Sequence, residues 1–417
     1  MDSAAEVTAQ SPETPTQAPH APVDVIADRD SYLTAVAAIA GGTGPVAIDA
    51  ERASGYRYSQ RAYLIQVFRF GSGTFLFDPP AIGRFDELDV AVRGEEWILH
   101  AASQDLTCLR EVGIHPTRLF DTELAARLAG LPRVGLGAVV EQLLGIHLAK
   151  AHSAADWSTR PLPQPWLVYA ALDVELLVDL RNALAAILEE SGKTRFATQE
   201  FASVLEREFG AVRPDPWRRL SGIQSVRGAR NLAVARELWL ARDAYAREID
   251  TAPGRLVPDS ALVAAARTIP PTKRDLAGYK EFTGRASRSQ IDRWWGAIES
   301  GLATDDLPMP RTISDAVPPA RVWSDKNPEA DGRLKRVRAA LGERAIDMAI
   351  PVENILTPET LRRLAWMPPE PLSPESVALT LAELGARPWQ IDTTARLIVD
   401  AFVESDQAPE VVPEAAS

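Results

Sequence analysis

Apolar positions along the chain follow two different periods. Near the amino terminus, short apolar runs typical of strands lie at 46–50, 63–68, 74–77 and 97–100. The first three are separated only by turn residues and predict an antiparallel meander. Helix-type spacing covers the segments 30–40, 103–112, a stretch from about 121, 136–144 and 164–190. A meander followed by alternating strands and helices predicts an α/β fold.

Beyond a turn rich in Gly and Pro at 210–216, every periodic segment is helical. The predicted helices are 227–248, 260–268, 273–279 and 287–302, then 328–348, 357–365, 376–384 and 388–405. A Pro-rich stretch at about 307–320 separates the two sets. We therefore expect three structured segments, 24–210, 211–302 and 328–405, with a linker at 303–327 and disordered tails at 1–23 and 406–417.

The single cysteine, Cys108, excludes an internal disulfide framework and fits a reducing compartment. The first residues lack the basic start and apolar centre of a signal peptide, and no apolar stretch is long enough to span a membrane. We expect a soluble, cytoplasmic protein without a membrane partner.

The net charge of −12 is unevenly distributed. Residues 1–210 carry 17 basic and 28 acidic side chains, and residues 303–417 carry 12 and 19. Residues 211–302 carry 16 basic and 10 acidic side chains. A basic segment between two acidic ones is typical of a phosphate-binding surface.

Three short acidic clusters carry the candidate chemistry. Asp49 and Glu51 end an apolar run and, two apart on a strand, share one face. Tyr169 and Asp173 are four apart in a helical pattern and also share a face. Asp105 opens a helix that follows an apolar strand. Four converging carboxylates repel one another unless cations neutralise them, and two magnesium ions would do so in an arrangement that suits phosphodiester hydrolysis.

The order and spacing of these residues are similar to those of the DEDD exonucleases of the tyrosine-bearing subtype, and the chain resembles ribonuclease D. The resemblance covers roughly residues 24–205. It rests on the segments 47–51, 64–66, 99–106, 120–122, 155–162 and 169–174. One departure is Arg52, which stands where the family's first motif usually has an aromatic residue. The resemblance implies an RNase H-like exonuclease fold, with a mixed sheet and flanking helices.

The basic segment 211–302 resembles an HRDC domain, through 253–259 and 276–284. The segment 328–405 is similar to a second, degenerate HRDC repeat. The expected architecture is therefore an α/β exonuclease domain followed by all-α HRDC domains.

The resemblance implies a 3′→5′ exoribonuclease that trims structured RNAs such as tRNA precursors and releases nucleoside monophosphates. Two divalent ions, Mg²⁺ or Mn²⁺, would be held by Asp49, Glu51, Asp105 and Asp173, with Asp49 bridging both. Tyr169 would orient the attacking water, since a phenol with a pKa of ~10 is a poor base at neutral pH. Two alternatives stay open, an exonuclease that prefers DNA and an inactive RNA-binding adaptor. The complete set of carboxylates argues against the adaptor.

Five further residues are predicted to contact nucleic acid. Lys150 and Arg160 flank a motif that contains Trp157, whose ring is a candidate platform for a base, with a packed structural Trp as the alternative. Arg285 and Arg288 lie beside Gly284 in the basic segment and fit phosphate contacts, with ordinary surface charge as the alternative. His100 precedes Asp105, and a hydrogen-bonded histidine at a strand end is favoured over a catalytic base.

Overall fold

The computed structural model describes residues 24–148, 154–207, 214–282, 284–309 and 317–407. Six strands form one mixed sheet in the order β1-β4-β3-β2-β5-β6. Their bounds are β1 Val25–Ile26, β2 Thr43–Arg52, β3 Ala62–Phe70, β4 Gly73–Phe77, β5 Trp97–Leu99 and β6 Leu119–Asp121. The predicted meander is confirmed, because β2 and β4 each pair antiparallel with β3. The other pairs are parallel.

Helices flank this sheet. In chain order they are α1 Arg29–Ala40, α2 Pro79–Ile82, α3 Asp86–Val92, α4 Leu106–Glu111, α5 Thr122–Leu128, α6 Leu136–Leu144, α7 Gln164–Glu175, α8 Leu177–Glu190 and α9 Thr194–Glu206. The predicted α/β class is confirmed. The predicted helix 164–190 is in fact two helices, which divide at Leu176. Neither Gly nor Pro marks this division, so the sequence carries no signal for it.

The rest of the described chain is helical, as predicted. The helices are α10 Ala229–Glu248, α11 Pro253–Leu256, α12 Asp259–Thr268, α13 Lys273–Gly278, α14 Arg285–Ser289 and α15 Ile291–Ala303, then α16 Trp323–Lys326, α17 Pro328–Met348, α18 Val352–Ile355, α19 Pro358–Trp366, α20 Pro374–Glu383 and α21 Pro388–Gln407. Side-chain caps begin several of them; Asn327 accepts from the Ala330 N–H ahead of α17, for example. No helix of the described chain has the length and apolar character needed to cross a membrane.

The described residues bury two large hydrophobic cores. One is confined to 220–298 and centres on Trp294 and Phe282. The other joins the sheet and its helices to the carboxy-terminal helices, because strand residues such as Ile48 lie in the same cluster as Phe402. The basic segment therefore packs as a unit of its own, whereas the last helices complete the core of the sheet domain.

The contact between α9 and α21 shows how this second core is joined. The rings of Phe196 and Trp389 stack, with centroids 4.6 Å apart. Buried Glu200 forms an ion pair with Arg387 at 2.7 Å and accepts from the Trp389 indole N–H at 2.8 Å. Buried charge here is paired and hydrogen-bonded, the condition under which it is tolerated in an interior.

Candidate active site

Strand β2 supplies two of the predicted metal ligands. Its middle residues, Val46, Ala47 and Ile48, are fully buried and anchor it at the centre of the sheet. Asp49 and Glu51 follow at its end and pair across to β3. They lie on one face because side chains alternate along a strand.

Helix α7 brings Asp173 to the same place. It packs against β2, β3 and β4, and Asp173 lies on its buried side. Carboxylate oxygens of Asp49, Glu51 and Asp173 all lie within 4.8 Å of one another. The predicted convergence of strand and helix acids is therefore seen directly for these three residues.

Asp105 lines the same cavity, but a cation lies beside it. It occupies the position that begins α4, and its side chain is 8% exposed. One of its carboxylate oxygens is 3.7 Å from Nε of Arg52, the residue that departs from the family's usual motif. The pairing of β2 with β3 shifts register between Glu51 and Arg52, so the strand's regular alternation ends there. Arg52 thus supplies positive charge beside the fourth carboxylate.

Burial and mutual repulsion disfavour ionisation of this cluster. Burial, followed by repulsion from Asp49, Asp173 and Asp105, raises the pKa of Glu51 to about 9. Burial and then Asp49 raise the pKa of Asp173 to about 8. Burial also raises the pKa of Asp49 and of Asp105, while the guanidinium of Arg52 opposes both shifts. Such shifts are typical of acids that are arranged to receive a cation.

The donor set fits divalent ions that prefer oxygen. Every candidate ligand is a carboxylate, and neither a sulfur nor an imidazole belongs to the three-residue cluster. Mg²⁺ is bound in this way, through a few carboxylates together with water and phosphate oxygens. The clustered, partly buried acids gain most from such an ion, because its charge removes the cost of ionising them.

Tyr169 lies one turn before Asp173 and lines the same cavity. Its hydroxyl is hydrogen-bonded to the Asp173 carboxylate, and burial, reinforced by the charges of Asp173 and Glu51, raises the pKa of Tyr169. The phenol therefore keeps its proton at neutral pH and acts as a hydrogen-bond donor.

His100 is held as a neutral residue. Its Nδ1 is 2.9 Å from Oγ1 of Thr122, and burial lowers the pKa of His100 to about 4. A proton acceptor for catalysis would titrate nearer neutrality. The interpretation of His100 as a hydrogen-bonded histidine at a strand end agrees with this geometry.

Asp121 was not predicted from the sequence as a functional residue. Its buried carboxylate accepts from the N–H groups of Ala101 and Ala102, at 3.1 and 2.9 Å, and also caps α5. Ala101 has a φ of 58°, a left-handed conformation that is strained for alanine. Asp121 therefore holds the turn that delivers Asp105. The only signal for it in the sequence was its place in the family-like segment 120–122.

The cavity around these residues has a volume of about 410 Å³. Its remaining walls come from the turn after β5, from Leu136 on α6, and from the residues that follow β2, including Gly55 and Tyr56. The size suits one nucleotide with its phosphate, within the range of small-ligand sites.

Two predicted nucleic-acid contacts, Trp157 and Arg160, are engaged within the fold, and the first is corrected by the structure. Trp157 is fully buried, and its ring packs at 5.2 Å from that of Trp166, so it is a structural residue that cannot stack on a base. Arg160 donates to Asp78 at 2.6 Å and to the backbone oxygens of Trp157, Thr159 and Tyr63. Most of its N–H groups are therefore used within the fold, which favours a structural role for Arg160 over a phosphate contact.

Of the other three predicted contacts, the structure describes two. Lys150 lies outside the described residues. Arg285 and Arg288 are exposed on α14, and the buried Ser287 between them donates to the Leu256 carbonyl oxygen at 2.9 Å. Both arginines thus project into solvent from an anchored turn.

Comparisons with known proteins agree with this geometry. A family model described as a 3′-5′ exonuclease matches residues 25–189, and an HRDC domain model matches residues 231–298. A third model, described as a 3′ to 5′ exonuclease C-terminal domain, matches residues 316–402. This last match covers most of the segment that resembles a degenerate HRDC repeat in sequence.

Individual proteins and solved structures are also similar to this chain. Ribonuclease D of Jannaschia sp. is 31% identical over 325 residues, which span 75% of this chain and 82% of that protein. A crystal structure of a protein from Bifidobacterium adolescentis is 37% identical with a TM-score of 0.83, over 92% of this chain and 97% of that one. The structure of Escherichia coli RNase D, described as an exoribonuclease involved in structured RNA processing, is 25% identical with a TM-score of 0.68, over 92% and 99%. The chain therefore belongs to the ribonuclease D family.

Proposed function

We propose that this protein is a 3′→5′ exoribonuclease that hydrolyses RNA ends with two divalent ions, Mg²⁺ or Mn²⁺. The observation that carries the proposal is the approach of Asp49, Glu51 and Asp173 to within 4.8 Å, in a cavity that Asp105 and Tyr169 also line. Paired ions bound there supply activation of water and stabilisation of the departing 3′-oxygen.

The protein's own residues position the reactants. Asp49 lies close to both Glu51 on β2 and Asp173 on α7, and it is the proposed bridging ligand; Asp105 would complete the ligand set. Tyr169 keeps its proton, and its hydroxyl, which lies beside the Asp173 carboxylate, is the group proposed to orient the attacking water by a hydrogen bond. Asp121 and the sheet hold these groups fixed before substrate arrives, which lowers the cost of ordering them during reaction.

The proposed substrate is the 3′ end of a structured RNA, with tRNA precursors as the first candidate and nucleoside monophosphates as products. Relatives named as ribonuclease D, and the described role of the E. coli protein in structured RNA processing, support this substrate class. Buried Cys108 is a free thiol, which suits action in the reducing cytoplasm. The HRDC segment, 211–302, is proposed to bind the body of the RNA.

The test compares RNA and DNA single strands of one sequence, each labelled at the 5′ end, in Mg²⁺, in Mn²⁺ and in chelator. We expect a ladder that shortens from the 3′ end of RNA and requires metal. Faster shortening of the DNA strand would favour the alternative, a DNA exonuclease with the same site.

Two variants test whether the proposed metal ligands are needed for cleavage. Asp49→Asn and Asp173→Asn should each abolish the ladder, while Asp400→Asn, which changes an exposed acid on α21, should leave it intact. Near-full activity of either site variant in Mg²⁺ would remove the metal-ligand assignment.

A further inference from the structure

The loop that follows β2, residues 53–61, forms one wall of the catalytic cavity. It connects the strand of Asp49 and Glu51 to β3, and Ser54, Gly55 and Tyr56 within it line the cavity. We call residues 53–61 the rim loop.

The rim loop is held from outside by the HRDC segment. The Ala252 N–H donates to the Tyr56 carbonyl oxygen at 2.9 Å, and the Ser59 N–H donates to the Asp250 carboxylate at 2.8 Å. The Tyr58 hydroxyl adds a bond to that segment, because it donates to a carboxylate oxygen of α10. The HRDC segment therefore contacts the catalytic cavity's wall directly.

Arg255 is the cation of the HRDC segment that contacts the two cavity-lining residues Gly55 and Tyr56. Its guanidinium lies over the Tyr56 ring, 3.9 Å from the ring centroid, and its Nε donates to the Gly55 carbonyl oxygen at 2.7 Å. The residue is nevertheless exposed. Two weak constraints thus fix the plane of the guanidinium at the edge of the cavity.

Among the residues that the structure describes, Arg255 has no carboxylate partner to neutralise its charge. Arg242 and Arg247, on the preceding helix, pair with carboxylates at 2.7 and 3.1 Å. For Arg255, no carboxylate of the described chain lies within ion-pair distance. Its Nε is used by Gly55, whereas its two terminal nitrogens have no acceptor within the described residues. A fixed guanidinium with free N–H groups is well suited to bind a phosphate in a bidentate manner.

We propose that Arg255 binds a backbone phosphate of the RNA strand as that strand enters the catalytic cavity. The inference rests on the proposed exonuclease function and extends it: the HRDC segment supplies a substrate-binding residue to the active site, in addition to any grip on the body of the RNA. Because the guanidinium is already fixed by Tyr56 and Gly55, little side-chain entropy is lost when the phosphate binds.

The test measures equilibrium binding of a short RNA, by fluorescence anisotropy, in the full-length Asp173→Asn protein with Mg²⁺. Arg255→Ala should weaken RNA binding about tenfold, because it removes one charge-assisted contact. Arg255→Lys should bind at an intermediate strength, because the charge remains while the planar fork is lost. Arg274→Ala is the matched control, since it removes an exposed arginine of the same segment that does not contact the rim loop.

RNAs with neutral linkages distinguish phosphate binding by Arg255 from mere support of the rim loop. A set of RNAs is prepared in which each phosphate in turn is replaced by a methylphosphonate. At one position the neutral linkage should weaken binding to the protein with Arg255 and have little further effect on Arg255→Ala. Additive effects at every position, or an equal loss for Arg274→Ala, would show that Arg255 only supports the loop and would overturn the proposal.

This binding experiment is separable from the exonuclease proposal. If the wild-type protein fails to shorten RNA but the methylphosphonate effect depends on Arg255, the proposed reaction is wrong and the phosphate contact stands. If RNA is shortened and no position depends on Arg255, the reaction stands and the phosphate contact is wrong.

Discussion

The acidic side chains of the catalytic cavity are costly to ionise without a cation, and they are also the residues whose placement the sequence predicted best. Strand alternation alone places Asp49 and Glu51 together, and one helical turn joins Tyr169 to Asp173. The roles of Trp157 and Arg160 were not predictable in the same way. Arg160 bonds to Asp78, which is 82 positions away, and no local pattern reports such a contact.

For Tyr169→Phe, we expect a large fall in kcat with little change in KM. The variant keeps the ring but loses the hydroxyl proposed to orient water, an interaction that matters most in the transition state. Steady-state kinetics on a short RNA measure both constants, with Tyr245→Phe, on the HRDC segment, as control. A raised KM at unchanged kcat would instead assign Tyr169 to RNA binding.

The metal-free protein should lose stability as pH rises. The pKa of Glu51, about 9, and the pKa of Asp173, about 8, lie above the values near 4 of an unfolded chain. Between about pH 4 and about pH 9 the native state binds more protons than the unfolded state, so the free energy of unfolding falls with increasing pH. Bound Mg²⁺ stabilises the ionised form and removes this loss.

Thermal melts in Mg²⁺ and in chelator test this linkage. The gap between the two Tm values should widen from about pH 6 to about pH 9, since the protonated acids bind metal poorly. Glu51→Gln should narrow the gap at the higher pH, whereas Asp86→Asn, at an exposed ion pair, should not. A gap that is absent at millimolar Mg²⁺ across the range would contradict a preformed metal site.

Among the elements, the contact of α9 with α21 offers two ion pairs in contrasting surroundings. Glu200 and Arg387 form a buried pair, with side chains 6% and 15% exposed, whereas Arg195 and Asp392 form an exposed pair at 3.6 Å. The sequence predicted α21, as a helix at 388–405, but it did not predict α9. No local sequence pattern indicates that α9 contacts α21.

Glu200→Ala should lower the free energy of unfolding by about 3 kcal/mol, because it leaves the largely buried guanidinium of Arg387 without its carboxylate partner. It also removes the acceptor of the Trp389 indole. Denaturant unfolding measures the change, and Asp392→Ala is the matched control on the same helix pair. The exposed pair should contribute little, since solvent screens it. Equal losses for the two variants would show that burial of this pair is unimportant.

Across the whole molecule, the positive charge is concentrated on the segment 211–302, which contains a core of its own, beside an acidic catalytic domain. Composition alone showed this distribution. The contact of that segment with the rim loop was not predictable, because it joins residues about 200 positions apart, such as Gly55 and Arg255.

Replacing both Arg285 and Arg288 by Gln should weaken binding of long RNA and reduce its dependence on salt. For single strands, each lost phosphate contact lowers the slope of log affinity against log salt by about 0.7, so the double variant should lose up to about 1.4. Titrations at several salt concentrations measure the slope, with Arg336→Gln on α17 as control. An unchanged slope would mean that these two arginines do not contact phosphate.

The core that joins the sheet to the carboxy-terminal helices also sets an order of events during synthesis. Phe196 is made long before its stacking partner Trp389. At about 5–20 residues per second, a ribosome needs roughly 10–40 s to cover that interval. Throughout it, the apolar face of α9 that awaits α21 is open to chaperones and to neighbouring nascent chains. We therefore expect the domain begun first to be among the last to finish folding, and its yield in the cell to rise with protection during translation.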